Sequence, residues 1–94
     1  MIEREDHRLQ VQVPMTMDTA SALLEAGLPF FAQPSPWVVD LSRVEQADSA
    51  GLAVLLEWLR RSRAAGGSMS LHAVPAGLAA LASLYDLDEV FARA

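Results

Sequence analysis

What most constrains the fold of this chain is a change of hydrophobic period, from two to about 3.6 and back, repeated along the sequence. "RLQVQV" (8–13) sets Leu9, Val11 and Val13 against Arg8, Gln10 and Gln12, the alternation of a half-buried strand, and Pro14 ends it. "DTASALLEAGLPFF" (18–31) then changes to helical spacing, with Asp18 or Thr19 as N-cap and Ala20, Leu23, Leu24 and Leu28 on one face. Gly27 and Pro29 are expected to close that helix, and "QPSP" (33–36) reads as a short loop.

The cycle repeats twice more. "WVVDLS" (37–42) is a compact apolar run ending in polar residues, as a strand buried on two sides should be. From Leu52 the spacing Leu52, Leu55, Leu56, Leu59 predicts an amphipathic helix to about Ala65, stopped by Gly66-Gly67. "SMSLHAV" (68–74) is a further strand, with Met69, Leu71 and Ala73 inward. Pro75 stands where a helix can start, with Leu78, Leu81, Leu84 and Tyr85 marking its face. "DLDEVFARA" (86–94) predicts a last helical turn or two, and "MIERE" a weak extra edge strand. Strand, helix, strand, helix, strand, helix implies an α/β layer structure, a small and largely parallel sheet flanked by three to four helices. At 94 residues, the expectation is one domain spanning 1–94.

Composition narrows the function. The net charge is −5 without a single lysine, which argues against nucleic acid, whose phosphates call for clustered cations. Arg60, Arg61 and Arg63 are the one basic cluster, and the dipole at a helix C-terminus explains them. No cysteine is present, so disulfides and thiolate metal sites are excluded. His7 and His72 stand alone without ligand-spaced neighbours, so no metal is expected. No glycine-rich phosphate loop or Ser-His-Asp order suggests a cofactor or an enzyme. The charged N-terminus is not a secretory signal, and no apolar run approaches the roughly 20 residues that span a bilayer. A cytoplasmic protein without direct membrane insertion is the expectation.

The informative stretch is "ADSAGLAVLLEWL" (47–59). Structurally, Ser49 is a good N-cap, Asp48 adds negative charge at the positive dipole end, and Gly51 permits close packing. Functionally, the same geometry presents Ser49 at the sheet's rim, where a phosphoryl group would add about −1.5 to −2 charge and exclude a partner. On the helical wheel Val54 and Trp58 fall off the leucine stripe, with Glu57 and Arg61 beside them. If both are exposed, they form a docking face with Ser49. The opposite reading packs Trp58 against its own core.

"WVVDLSRVEQADSAGLAVLLEWLRRSRAAGGSMSLHAV" resembles the centre of a STAS domain, the fold of anti-sigma factor antagonists. In that family a strand ending D-[LF]-[ST] leads through a short loop to D-[ST]-x-G-L and a leucine-rich helix. "VDLSRVEQADSAGLAVLL" and "LASLYDLDEVF" are most similar to the small cytoplasmic STAS subunit of the Mla phospholipid transporter of Gram-negative bacteria. The resemblance implies a non-catalytic subunit that binds and stabilises the ATPase of an ABC phospholipid transporter, and is thereby peripheral at the inner membrane. Asp48, Ser49, Ala50, Gly51, Val54, Trp58 and Arg61 are the implied contact residues. The alternative it implies is an anti-sigma factor antagonist switched off when an anti-sigma kinase phosphorylates Ser49. The antagonists usually carry Gly-Glu-Leu-Asp upstream. "PMTMDTASAL" replaces that element here, which favours the transporter version.

Overall fold

A computed structural model describes residues 1–92, with Glu89 and Ala92 described by their backbone alone. The elements are β1 (Ile2–Glu5), β2 (Arg8–Val11), α1 (Ala20–Phe31), β3 (Pro36–Asp40), α2 (Ser49–Ala64), β4 (Ser68–His72), α3 (Ala76–Leu84) and α4 (Asp88–Ala92). The sheet runs β1-β2-β3-β4 in space: β1 is antiparallel to β2, and the other neighbours are parallel. The predicted α/β class is what forms, and "MIERE" does supply the edge strand.

Burial alternates along the strands, so one sheet face meets the helices. Leu9, Val11, Trp37, Val39 and Met69 are buried, whereas Arg8, Pro36, Ser68 and Ser70 are exposed. The sheet is thus covered on one side, and β3 is not the doubly covered strand that its apolar run suggests. Its outward Asp40 is nonetheless only 3% exposed. Arg8 reaches it at 3.0 Å, Gln10 Nε2 donates at 3.1 Å and the Ser42 N–H at 2.9 Å. Burial alone would raise the Asp40 pKa, but the bonds from Ser42, Gln10 and Arg8 outweigh it and hold the carboxyl well below the usual range.

Several boundaries differ from the sequence reading. Helix α1 does not stop at Gly27 or Pro29: it runs through both to Phe31. Gly27 is a packing glycine instead, since a Cβ there would overlap the Trp58 indole. Strand β4 ends at His72, and Ala73 is exposed with φ 57°, turning the chain toward Pro75. On α3, Leu78 and Ala82 are buried and Leu81 half-buried against the core, but Leu84 and, just past the helix, Tyr85 are 73% and 57% exposed. Residues 93 and 94 of the predicted last helix lie outside the described residues.

Candidate functional site

The corner before α2 is built from two crossing segments. Met15 N–H donates to the Gln46 carbonyl at 2.8 Å, and Asp48 N–H returns a bond to the Met15 carbonyl at 3.1 Å. A short parallel bridge, Met15 with Ala47, results. Gly51 lies against this bridge so closely that a Cβ would collide with the Met15 carbonyl oxygen, so the first turn of α2 admits no side chain there.

The N-cap is Asp48, not Ser49. Asp48 has extended backbone (φ −129°, ψ −168°), and its Oδ1 accepts from Ala50 N–H at 2.8 Å. Its Oδ2 accepts from Met17 N–H at 3.1 Å. One carboxylate therefore satisfies a free helix amide, complements the dipole and ties down the loop ahead of α1. Thr19 holds that loop's other end: its Oγ1 donates to the Pro14 carbonyl at 2.5 Å and accepts from Thr16 N–H at 3.1 Å.

Ser49 is consequently the first helical residue. It is exposed, and its hydroxyl makes no hydrogen bond among the described residues. The backbone beneath it is fixed on both sides while the side chain is free. Next to it, between α1 and α2, runs a shallow groove lined by Ala20, Ser21, Leu24, Ala50, Ala53 and Val54. Small side chains on both helices let a partner approach closely there. Met17, whose N–H the Asp48 carboxylate binds, is 80% exposed.

Two expected contact residues are almost wholly buried, Val54 reaching only the floor of that groove. Val54 is 4% exposed and Trp58 1%. Trp58 Nε1 donates to the Leu24 carbonyl at 3.2 Å, and its ring stacks on Phe31 at 5.2 Å. The docking face through Val54 and Trp58 is therefore withdrawn: α2 packs against α1 as well as the sheet, so its apolar arc is wider than one leucine stripe, and Leu56 is only half-buried. Arg61 is exposed but committed, its Nε donating to Glu57 Oε2 at 2.9 Å. Arg60 grips the same carboxylate, and the two arginines, Arg60 first, lower the Glu57 pKa to about 2. Arg61 also lies about 18 Å along the helix from Ser49, so the two are not one site.

The structure thus brings together Asp48, Ser49, Ala50 and Gly51, and adds Met17 beside Asp48 and Ala20, Ser21, Leu24 and Ala53 in the groove, none of which the sequence reading assigned to the site. The run "ASA" (20–22), opening a helix with small residues, was the available signal. Among the described residues no cluster of three metal-ligating side chains occurs, and no helix is long and apolar enough to cross a membrane.

A family profile described as MlaB, STAS domain, matches residues 1–92. A crystal structure of a candidate anti-sigma factor antagonist from Thermotoga maritima superposes with a TM-score of 0.76 at 20% identity, covering 96% of this chain and 80% of that one. The NMR structure of the protein TM1081 gives 0.69 at 21% identity, over 95% and 74%. A structure of Mglu matches with a TM-score of 0.61 at 26% identity, over 81% of this chain but only 19% of that larger protein. A sequence search of curated proteins finds no match.

Proposed function

The chain belongs to the STAS-domain family in its MlaB form, and from that membership we infer that it is a non-catalytic binding subunit docking on the ATPase of an ABC phospholipid transporter. The observation that carries the reading is the pairing of a rigid corner with a free hydroxyl: exposed Ser49 on a first turn locked by Asp48 and Gly51, beside a groove of small residues. A partner helix or loop laid in that groove would meet Ala50 and Ala53 closely and find the Ser49 hydroxyl at its end. The surface is preformed, so little ordering opposes binding. Through this partner the chain would act at the cytoplasmic side of the inner membrane.

The test is titration of the purified chain with the purified ATPase subunit. Ala53→Arg, which fills the groove, and Ser49→Glu, which puts charge at its end, are each expected to weaken binding at least about tenfold while the circular dichroism spectrum is unchanged. His72→Ala, on the sheet edge, is expected to leave it alone. No measurable association, or equal affinity of all three variants, overturns the assignment.

A second reading rests on the same hydroxyl and on the similarity to the Thermotoga candidate antagonist. An exposed serine without a hydrogen-bond partner suits phosphoryl transfer, and the added charge beside Asp48 would expel a partner from the corner. Intact-mass analysis of the chain purified from its own cells distinguishes the two: a phosphorylated fraction on Ser49 favours the switch, its absence the transporter subunit.

A further inference from the structure

Helix α3 meets the core with Leu78, Leu81 and Ala82. Alanine at 79 and 82 is too short to close the gap to α2, and a cavity of about 130 Å³ is left there. Its floor is buried and apolar: Leu52 and Leu55 of α2, Leu78 and Ala82 of α3. Phe91 of α4 forms one wall, and the exposed Val74, Ala79 and Asp88 stand at the mouth.

Two properties define what fits. Water finds no polar partners in an apolar space, and one of about 150 Å³ takes up a benzene-sized molecule instead. The second property is charge. Asp88 is the one lining residue with a polar side chain, and among the described residues it makes no ion pair. A carboxylate at the mouth offers a charge-assisted hydrogen bond to a cation and repels an anion of the same size.

We propose that this cavity is a binding site for a small organic amine, its ring or branched chain seated on Leu52, Leu55 and Leu78 and its ammonium group at Asp88. The ammonium stays at the solvent edge, so its desolvation is slight, while the apolar body leaves water entirely. The site lies on the face of α2 opposite the groove beside Ser49, which Ala50, Ala53 and Val54 line. Binding here therefore needs no partner in that groove.

NMR titration of the purified chain with benzylamine at pH 7 tests it. The Leu78 and Ala82 methyl signals and the Phe91 ring signals are expected to shift together and saturate, with Kd on the order of 1 mM for a ligand this small. Benzyl alcohol, the neutral analogue, is expected to bind about threefold more weakly or worse, and phenylacetate to leave these signals unmoved. Asp88→Asn is expected to bring benzylamine down to the level of the alcohol while the affinity for the alcohol is unchanged. Ala82→Leu, which fills the floor, is expected to abolish binding. Ala79→Leu narrows the exposed mouth and tests the same space without disturbing the core. Absence of saturable shifts, equal binding of phenylacetate, an amine affinity indifferent to Asp88→Asn, or binding retained by both leucine variants overturns the proposal.

Discussion

The Trp58 indole N–H donates to the Leu24 carbonyl across the α1–α2 contact, and the same ring fills the space that the missing side chain of Gly27 leaves open. Trp58 is therefore the wedge that sets the spacing of the two helices bordering the groove. Trp58→Ala is expected to cost about 3–5 kcal/mol. Gly27→Ala, which drives a methyl into the ring, is expected to cost about 1–3 kcal/mol. Urea unfolding measures both. Trp58→Arg would bury an unpaired charge, so reduced partner binding by that variant would accompany loss of the fold rather than report a contact.

Asp48 and Ser49 are neighbours with separable roles. Asp48→Ala removes the cap bond to Ala50 and the tie to Met17, and is expected to lower stability by about 1–2 kcal/mol. Ser49→Ala removes an exposed hydroxyl that holds nothing, and is expected to stay within about 0.5 kcal/mol of wild type. If thermal unfolding shows the reverse ranking, the serine rather than the aspartate caps α2.

That pair also shows how far the sequence was readable. The D-S-x-G corner, the alternation of strand and helix, and the stop at Gly66-Gly67 are local signals, and each is where it was expected. Which of two adjacent polar residues caps a helix depends on backbone angles set by a distant segment, here Met15 to Met17, and no spacing rule contains that. Val54 and Trp58 were misplaced for a similar reason: a helical wheel assumes one buried face, but α2 touches both the sheet and α1. Pro29 failed to stop α1 because proline removes only one amide bond from a helix whose Leu23, Gly27 and Phe31 are held by the core. Leu84 and Tyr85 keep the helical period but extend past the neighbouring elements.

Acid should expose the contribution of Asp40. Its carboxyl titrates below its ordinary value of 3.8 in the folded chain, since Ser42, Gln10 and Arg8 more than offset burial. A group lowered on folding stabilises at pH above its unfolded value and loses that contribution as pH falls through the folded one. The stability curve is thus expected to be flat from this group above about pH 5 and to fall below about pH 4. Asp40→Asn is expected to cost about 1–3 kcal/mol at pH 7 and to reduce the acid slope. Urea midpoints between pH 7 and pH 2.5 test it, and an unchanged slope in the variant would assign acid sensitivity elsewhere.

At the opposite rim, Arg4 lies over Trp37 at 5.1 Å and Phe30 at 5.9 Å. The guanidinium fastens β1 to the end of α1, in addition to the antiparallel ladder to β2 and the packing of Ile2 on the core. Arg4→Ala is expected to cost about 0.5–1 kcal/mol. The loss should be local, read as faster amide exchange in Ile2–Glu5 with the protection of β3 unchanged. Uniformly faster exchange throughout the sheet would mean that β1 is part of the cooperative core.

The hydroxyl of Ser62 points the other way in energy. It is fully buried on α2, and its Oγ has no hydrogen-bond partner among the described residues. A buried hydroxyl without a partner keeps its desolvation cost uncompensated. Gly67 explains why a small residue is needed: a Cβ there would come within 3.3 Å of Ser62 Oγ and closer still to the Ser35 backbone. Alanine fits that space and carries no polar atom, so Ser62→Ala is expected to be neutral or to raise stability by up to about 1 kcal/mol. Ser62→Leu, forced against the turn into β4, is expected to cost about 1–3 kcal/mol. A destabilised alanine variant would show instead that the hydroxyl has a partner, with the α2 carbonyl one turn back as the group to examine by amide and hydroxyl exchange.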